Sequence, residues 1–536
     1  MTNHVDVDVV IVGAGFSGCL TLHEMRRRGL SARIIEANDG FGGVWYSNRY
    51  PGARVDSILP FYQLTMPDIY NGFDFAEKYP DSEALRSYFQ HLDERLELSK
   101  DTIFGHRVVR AHYKDETWKF ETDKGLVGNS RFAVFAGGTT HKAHIPELPY
   151  LKAFQGQIIH PASWPSDVNL DGKRVGLIGQ GASGIQILEQ LSKADHDITL
   201  FIRTPCLAVP MRQEKSSAAE SEARKREYDS LFSKAKYGKD AGYPYIPSTR
   251  VFEDETPEQH RAVFEERWKY GGLMATGGYQ DIATNPQANY AMYNFWREKA
   301  RARMTDRAKM DIVAPMEQFQ WIGGKRSALE QDYFEMIDKP NVKLVNLKTT
   351  PIKKIVRSGV VVADDEGVEA LHELDVLILS TGYDSVTGGL YDMNITDKNG
   401  EGLEEKWKDG IQTYGGMMVP GMPNAFLLYG PQAPTALANG PTFIELQVEW
   451  IGNLLDGLDQ RSDKTVEVTR EAATEWADKG FSIWNSLKLR DQDSWWVGAN
   501  IPGKRREPLI WFGGTKLWWQ ICTAGLADWA PFVSQP

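Results

Sequence analysis

The pattern of apolar residues along the chain predicts two copies of a strand–turn–helix–strand unit. In the first copy, the β-branched run Val9–Val12 is typical of a buried parallel strand, and an amphipathic segment follows it. A second strand, ARIIE, then ends at Glu36. In the second copy, the strand covers Arg174–Ile178, and the apolar run ITLFI follows the helix. Alternating strands and helices of this kind predict an α/β fold with parallel sheets.

Glycines follow the first strand in a spacing that binds dinucleotides. Gly13, Gly15 and Gly18 form the GxGxxG pattern and open the predicted helix. The first glycine permits a tight turn, the second lets the backbone approach a pyrophosphate, and the third lets helix and strand pack closely. The diphosphate is expected at the helix N-terminus, where free N–H groups favour negative charge. Glu36 is predicted to accept hydrogen bonds from ribose hydroxyls. A glycine-rich turn without a ligand is the alternative.

The second copy repeats the glycine spacing with a different charge at the end of its second strand. Its loop residues are Gly179, Gly181, Ser183 and Gly184. Where the first copy has Glu36, the second has Arg203 and Thr204. A carboxylate would repel a 2′-phosphate, whereas arginine and threonine can bind one. We therefore predict FAD at the first loop and NADPH at the second. The alternative is that Arg203 is only a surface arginine.

Two further apolar runs predict how the chain divides into domains. SRFAVFAGG, ending at Gly138, and LDVLILSTGYD, ending near Gly382, are predicted strands that run into glycine, as is common where a chain crosses between nucleotide domains. The predicted fold is α/β, with two Rossmann-like dinucleotide-binding domains and a helical insertion. The predicted ranges are 1–146 and 382–536 for the FAD domain, 147–212 and 326–381 for the NADP domain, and 213–325 for an insertion of exposed helices.

Composition and charge exclude several other classes of protein. The 536-residue chain has a formal net charge of −11, which argues against a nucleic-acid partner. Cys19, Cys206 and Cys522 are far apart and provide no disulfide framework, zinc spacing or redox pair. No apolar run reaches the length of a transmembrane helix. No signal peptide is evident, so the predicted location is the cytoplasm. No protein partner is evident from the sequence either.

Four longer motifs occur in order along nearly the whole chain. They are GGVWYSNRYPGARVD (Gly42 to Asp56), FQGQIIHPASWP (Phe154 to Pro165), GGKRSALEQDYFE (with Lys325 and Arg326) and DSWWVGANIPGK (Asp493 to Lys504). In these motifs the chain resembles the type I Baeyer–Villiger monooxygenases, enzymes that use FAD, NADPH and O2. The resemblance implies conversion of a small-molecule ketone to an ester or lactone. The two longest motifs are highly specific, whereas the glycine loops alone occur in many flavoproteins.

The resemblance implies a mechanism and roles for two catalytic residues. Oxygen adds to C4a of the reduced flavin, and the resulting peroxide attacks the ketone carbonyl to give a tetrahedral oxyanion. Arg326 is implied to stabilise the peroxide and the oxyanion, because a guanidinium stays charged and offers a rigid fork of donors. Asp56 is implied to pair with Arg326 and to fix its orientation. A surface charge in a loop is the alternative for Arg326.

The resemblance also implies cofactor contacts and a hinge. Lys325 is implied to help hold the 2′-phosphate, and Trp495 to contact the nicotinamide cofactor when the C-terminal loop closes. His160 is implied to be a hinge residue that hydrogen-bonds backbone between the two domains, and not a general base. It is expected before the first strand of the second domain. The remaining predicted cofactor contacts are Gly43, Val44, Trp45, Asp56 and Val108.

Some positions depart from the family pattern, and other functions stay open. Ser47 and Val55 differ from the residues that are common in relatives, and neither position is expected to carry chemistry. Gly440 is smaller than the residue expected there, so the shape of the substrate pocket is not predicted. An N- or S-oxygenating flavin monooxygenase is one alternative, although the motifs of Asp56 and Arg326 favour carbonyl chemistry. The missing cysteine pair argues against a pyridine nucleotide–disulfide reductase. A non-catalytic flavin-binding protein is the third alternative.

Overall fold

A computed structural model describes residues 4–238, 242–243 and 248–536. The parts of the predicted insertion at 239–241 and 244–247 lie outside the described residues. The strands are β1 (His4–Val12), β2 (Ala32–Ile35), β3 (Thr102–Ile103), β4 (Val108–Lys114), β5 (Thr117–Thr122), β6 (Val127–Phe135), β7 (Gln157–Ile159), β8 (Arg174–Ile178), β9 (Asp197–Ile202), β10 (Ala208–Pro210), β11 (Ala328–Glu330), β12 (Val342–Asn346), β13 (Ile352–Val356), β14 (Gly359–Ala363), β15 (Glu369–Glu373), β16 (Val376–Leu379), β17 (Ile395–Thr396), β18 (Ala425–Leu427), β19 (Thr465–Val468) and β20 (Phe532–Gln535).

The helices lie between these strands. They are α1 (Phe16–Arg27), α2 (Val44–Ser47), α3 (Pro67–Tyr70), α4 (Ser82–Leu96), α5 (Ala182–Lys193), α6 (Ala218–Lys225), α7 (Tyr228–Tyr237), α8 (Pro257–Tyr270), α9 (Pro286–Arg301), α10 (Arg307–Val313), α11 (Tyr333–Asp338), α12 (Gly388–Tyr391), α13 (Leu403–Lys406), α14 (Gly440–Gln460), α15 (Arg470–Ser486) and α16 (Gly514–Asp528). The run from α6 to α10 lies between β10 and β11. Among the described residues, no helix is both long enough and apolar enough to cross a membrane.

The first sheet is built around β1, in the order β17-β4-β5-β6-β1-β2-β3, with β18 also paired to β6. β1 lies parallel to β2 and β6, with Val9 opposite Ala32 and Ile11 opposite Val134. Val9, Val10 and Ile11 of β1 are fully buried, as expected where a strand is covered on both faces. The carboxyl ends of β1, β2 and β6 therefore meet at one edge of the sheet, where the first glycine loop lies.

The second sheet is entirely parallel, in the order β12-β9-β8-β16-β7. With the first sheet, it confirms the predicted α/β fold with two Rossmann-like units, while the predicted domain boundaries remain a prediction. The expectation that His160 precedes the first strand of this sheet is wrong, because β7 ends at Ile159 and pairs with β16. β7 is a short edge strand with two exposed residues, so its sequence shows no clear strand pattern.

The helices of the middle segment share a core with the second sheet. Trp296 of α9 is fully buried, and its indole N–H donates to the carbonyl oxygen of Ala208 at 2.7 Å. Phe264 and Trp268 of α8 belong to the same buried cluster as Leu200 of β9. Phe264, Trp268 and Trp296 are thus buried in the core to which the second sheet also contributes.

Two chain segments connect the sheets and pair with each other. Ala143 bridges Tyr383 in an antiparallel sense, and the N–H of Asp384 donates to the carbonyl oxygen of Lys142 at 3.0 Å. Further along the same two segments, the N–H of Val386 donates to the carbonyl oxygen of Thr139 at 3.0 Å. The connection between the two sheets is therefore a short two-stranded ladder, a suitable geometry for a hinge.

Candidate active site

The first glycine loop has backbone geometry that only glycine fits. Gly13 has φ +107°, and a Cβ there would lie 2.7 Å from the carbonyl oxygen of Ala136. A Cβ on Gly18 would lie 1.9 Å from the carbonyl oxygen of Gly13. α1 begins after Gly15, and no side chain caps its first turn. A diphosphate is the kind of group that these backbone N–H donors fit.

Glu36 follows β2 and anchors the same loop. Its carboxylate accepts from the N–H of Ala14 at 2.7 Å and from the N–H of Asn38 at 2.7 Å. Burial raises the pKa of Glu36, and these backbone donors oppose the rise. The carboxylate also forms part of a cavity wall, where it can accept from a ribose hydroxyl.

A cavity of about 740 Å³ lies at the carboxyl ends of the first sheet and extends to Arg326. Gly18 packs behind its wall against Gly13. Ala182 and Gln186 of α5 also line it, so the second nucleotide unit reaches this cavity. The predicted residues that line it are Gly13, Gly15, Glu36, Gly43, Val44, Trp45, Asp56, Val108, Arg326 and Trp495.

Arg326 and Asp56, 270 positions apart in the chain, form a two-pronged ion pair in the cavity wall. Nε and Nη2 of Arg326 donate to the two Asp56 oxygens at 2.5 and 2.8 Å, and Nη1 donates to the carbonyl oxygen of Ala436 at 2.5 Å. Burial alone would lower the pKa of Arg326, but Asp56 outweighs it and raises that pKa. Burial would likewise raise the pKa of Asp56, but Arg326 holds it below its ordinary value. The guanidinium is a permanent, oriented cation.

Aromatic residues that no sequence motif singled out surround this pair. Tyr62 accepts from the indole N–H of Trp45 at 3.0 Å, and Tyr429 donates to the carbonyl oxygen of Thr435 at 2.5 Å. A Cβ on Gly440 would lie 3.7 Å from the Tyr429 oxygen and 3.9 Å from the Tyr62 ring, which are ordinary contacts. Gly440 therefore leaves open the space between two tyrosines, all three residues lining the cavity.

The second glycine loop repeats the geometry of the first. Gly179 has φ +100°, and a Cβ there would lie 2.3 Å from the carbonyl oxygen of Ser380. A Cβ on Gly184 would lie 2.5 Å from the carbonyl oxygen of Gly179, whereas a Cβ on Gly181 would meet open space. Gly181 precedes α5, whose first turn has no side-chain cap. This loop can therefore hold a second diphosphate.

Basic residues lie together beyond the second loop. Arg203 is exposed at the end of β9, next to Thr204, and forms no ion pair with any residue in the described ranges. Burial lowers the pKa of Lys325, and the nearby Arg203 charge adds to the effect. Two cations close enough to influence each other, beside a nucleotide loop, fit a 2′-phosphate.

The second loop is also tied to the signature segment that carries Asp56. Ser183 donates to the Tyr50 hydroxyl at 3.1 Å, and Tyr50 donates to Gln186 at 2.9 Å. The Gln186 amide then donates to the carbonyl oxygen of Arg54 at 3.1 Å. The predicted cofactor residue Ser183 thus has a protein partner, and sequence reasoning missed Tyr50 and Gln186 because this contact joins distant motifs.

His160 hydrogen-bonds backbone on both ring nitrogens. Nδ1 accepts from the N–H of Ala162 at 3.1 Å, which leaves Nε2 to donate to the carbonyl oxygen of Gly382 at 3.1 Å. Burial lowers the pKa of His160, consistent with a neutral ring. The ring also packs edge-on against the Tyr383 ring, with 5.6 Å between the ring centroids. His160 therefore contacts the ladder between the sheets and does not line the cavity.

The C-terminal motif closes one side of the cavity. Trp495 lines the cavity, while Trp496 beside it is buried. Asn500 donates to the carbonyl oxygen of Tyr383 at 2.8 Å, and Lys504 pairs with Asp384 at 2.7 Å. This segment is therefore fastened to the ladder between the sheets.

Comparisons with known proteins agree with this geometry. Residues 11–75 match the family model of the NAD(P)-binding Rossmann-like domain. The chain is 36% identical over 525 residues to the FAD-binding monooxygenase VdtE of Byssochlamys spectabilis, covering 96% of this chain and 91% of that protein. It is 34% identical to cyclopentanone 1,2-monooxygenase of a Comamonas species (95% and 92% covered) and to phenazine N-monooxygenase of Lysobacter antibioticus (95% and 93% covered).

Solved structures give the same result over almost the entire chain. A steroid monooxygenase bound to NADP superposes with a TM-score of 0.92 at 33% identity, covering 99% of both chains. Cyclohexanone monooxygenase from Rhodococcus sp. Phi1, bound to NADP+, superposes with a TM-score of 0.93 at 31% identity and the same coverage. The predicted cofactors, FAD and NADPH, and the predicted monooxygenase class are confirmed.

Proposed function

The chain belongs to the type I Baeyer–Villiger monooxygenases, and on that premise we propose that it inserts one oxygen atom of O2 beside the carbonyl of a ketone, giving an ester or lactone. The observation that carries the proposal is the Arg326–Asp56 pair in the wall of the cavity that also holds the first glycine loop. Bound FAD, reduced by NADPH, would supply the oxygen-transfer chemistry by the C4a-peroxyflavin route that the resemblance implies.

The residues that hold the two cofactors divide between the two glycine loops. The first turn of α1 and Glu36 suit the diphosphate and ribose of FAD, with Gly43, Val44, Trp45 and Val108 along the same cavity. The second loop with Arg203, Thr204 and Lys325 suits NADPH, and Trp495 reaches the shared cavity from the C-terminal motif. His160 is proposed to act as a hinge, because it binds the ladder that joins the two sheets.

Arg326 has the chemistry to stabilise the oxyanion that forms when a carbonyl is attacked. Three hydrogen bonds to Asp56 and Ala436 fix its guanidinium, and a guanidinium has more N–H groups than these bonds use. The remaining donors on Nη1 and Nη2 can meet a developing negative charge without reorganisation. Asp56 raises the pKa of Arg326, so the guanidinium stays protonated, and therefore charged, at working pH.

Oxygen-18 labelling tests the proposal. The purified protein would be supplied with NADPH, labelled O2 and a panel of cyclic, aryl and linear ketones, and the products identified by mass spectrometry. We expect NADPH oxidation that rises with at least one ketone and an ester or lactone carrying one labelled oxygen. NADPH oxidation that yields only hydrogen peroxide with every ketone would contradict the proposal.

Oxygenation of a ring nitrogen is a second candidate function. The observation that favours it is the 34% identity to phenazine N-monooxygenase over nearly the full length. The same assay with phenazine separates the two functions, because an N-oxide and an ester differ in structure. An N-oxide from phenazine without an ester from any ketone would favour the second candidate.

A further inference from the structure

Two buried hydroxyl groups join the chain beside Asp56 to the middle segment of the chain. The Tyr243 hydroxyl donates to Oγ of Ser57 at 2.5 Å, and the two residues keep only 5% and 3% of their surface exposed. Ser57 directly follows Asp56, whereas Tyr243 lies 186 positions further along the chain. A contact between hydroxyls this far apart in sequence is made by the fold alone.

In this contact the tyrosine hydroxyl is the donor and the serine hydroxyl is the acceptor. A serine hydroxyl has one proton and spare lone pairs, so a serine that accepts from tyrosine still has its own proton to give. Burial would raise the pKa of Asp56, but Arg326, with smaller contributions from the Asp56 backbone N–H and the Ser57 hydroxyl, holds that pKa below its ordinary value. Ser57 is the next residue to Asp56 and lines the same cavity, so the contact that Tyr243 makes with Ser57 fixes the chain beside the carboxylate that orients Arg326.

Packing and charge keep the Tyr243 hydroxyl in its donor position. Its ring meets Phe61 edge-on at 6.0 Å and belongs to a buried cluster with Phe232 of α7. α7 is held in turn by an ion pair between Lys236 and the buried Glu445, 2.5 Å apart. Burial raises the pKa of Tyr243 while the nearby Arg326 charge opposes the rise, so the phenol stays protonated at neutral pH.

We propose that Ser57 and Tyr243 form a hydroxyl relay that positions the Asp56 carboxylate and, through it, the Arg326 guanidinium. Both are positioning residues, and no bond is made or broken within the relay. Because Tyr243 is packed against α7, the relay makes the orientation of Arg326 depend on the placement of that helix. This inference rests on the proposed role of Arg326 in oxygen insertion.

A double-mutant cycle tests the relay. Tyr243→Phe, Ser57→Ala and the double variant would be compared in ester formed per NADPH consumed, in the rate of flavin reduction and in the KM for the ketone. We expect each single variant to lower ester per NADPH about fivefold, the effect of one hydrogen bond. The double variant should fall no further than either single variant, since the two hydroxyls act in series.

The matched control is Tyr70→Phe. Tyr70 belongs to the same aromatic cluster, but its hydroxyl donates to Asp229 at 2.8 Å. We expect it to keep the wild-type ester yield. Additive losses in the double variant, or a raised ketone KM with unchanged ester per NADPH, would show that Ser57 and Tyr243 only shape the cavity and would overturn the relay.

A spectroscopic measurement tests the relay without the reaction. With 3-fluorotyrosine placed at position 243 of the FAD-loaded protein, the fluorine NMR signal reports the ionisation of that phenol. We expect Arg326→Ala to raise the titration midpoint, because Arg326 lowers the pKa of Tyr243, and Ser57→Ala to shift the signal. A signal that neither variant changes would overturn the relay. A wild-type protein that forms no ester yet shows both effects would contradict the proposed function and leave the relay standing.

Discussion

At the scale of single residues, Arg326 separates the two halves of the proposed reaction. Flavin reduction is a hydride transfer from NADPH, whereas oxygen insertion needs a cation beside the developing oxyanion. We expect Arg326→Ala to lower ester formation about a hundredfold or more. NADPH oxidation should continue in part, with hydrogen peroxide as product. Absorbance at the NADPH band and chromatography of the ester measure the two in parallel, and full ester yield from the variant would remove Arg326 from the mechanism.

Arg203 supports a prediction about the choice of nucleotide. Its exposed guanidinium lies near Lys325 and has no ion-pair partner among the residues that the structure describes. We expect Arg203→Ala to raise the KM for NADPH about tenfold, as for one charge-assisted hydrogen bond, and to leave the KM for NADH nearly unchanged. Steady-state kinetics with both nucleotides measures this. Arg226→Ala, which removes an exposed arginine of the middle segment, is the control, and equal use of both nucleotides by the wild type would contradict the assignment.

Residues whose role follows from local chemistry were the ones that sequence could identify. Gly13 and Glu36 belong to a motif in which spacing alone implies a turn, a helix start and a carboxylate at a strand end. Tyr62 and Tyr429 belong to no such motif, and they meet only because distant loops fold onto one cavity. Ser57 and Tyr243 illustrate the same limit, since a single hydroxyl contact leaves no periodic trace in the sequence.

At the scale of elements, His160 joins the segment after β7 to the ladder between the sheets. Glutamine can replace one of the two backbone contacts of His160. It cannot make both, because it lacks the planar ring whose two nitrogens make them. We expect His160→Gln to retain FAD, to lower kcat and to cost about 1–2 kcal/mol of stability. The ratio of flavin to protein absorbance, steady-state rates and thermal unfolding check the three parts. Unchanged rates together with lowered stability would reduce His160 to a packing residue.

Glu189 links α5 to the segment before α11 and predicts a pH dependence of stability. Its carboxylate accepts from the N–H groups of Gln331 and Asp332, and burial raises the pKa of Glu189 to about 7. Because the pKa of Glu189 is raised in the folded state, its contribution to the free energy of unfolding is fully present below the ordinary pKa of a glutamate. That contribution is lost as the pH rises through about 7. The loss can reach about 3 kcal/mol.

Glu189→Gln isolates this effect, because an amide oxygen accepts the same two hydrogen bonds without titrating. We expect the wild type to lose more thermal stability than the variant between pH 5 and pH 8, with unfolding midpoints as the measurement. Equal pH dependence in both proteins would show that other buried groups dominate. This contact could not be predicted from the sequence, since Glu189 lies on an ordinary amphipathic helix.

At the scale of the whole molecule, the two nucleotide units are joined by a ladder and fastened by the C-terminal motif. The ladder brings together residues near Ala143 and Tyr383, and Asn500 and Lys504 hold the motif onto it. Strand ends at Gly138 and Gly382 indicated from sequence that the chain crosses there. That the two crossings pair with each other, and that the C-terminal motif rests on them, required the fold.

Lys504 tests whether this fastening controls access to the shared cavity. Its ammonium donates to Asp384 at 2.7 Å and to the carbonyl oxygen of Ser385 at 3.1 Å, with both charged side chains mostly buried. Lys504→Met keeps the length of the side chain but removes both bonds. We expect the segment 494–501 to open more often, so that its amides exchange hydrogen about tenfold faster and the KM for NADPH rises.

The control is Lys516→Met, which removes an exposed lysine of α16 that has no ion-pair partner among the described residues. Its exchange rates should match those of the wild type. Faster exchange and a raised KM would both follow from opening of the segment, because Trp495 can line the cavity only while its segment is closed. Faster exchange with an unchanged KM would mean that Trp495 does not contact the nucleotide. Unchanged exchange would mean that the buried aromatic packing of Trp496, and not the Lys504 pair, holds the segment in place.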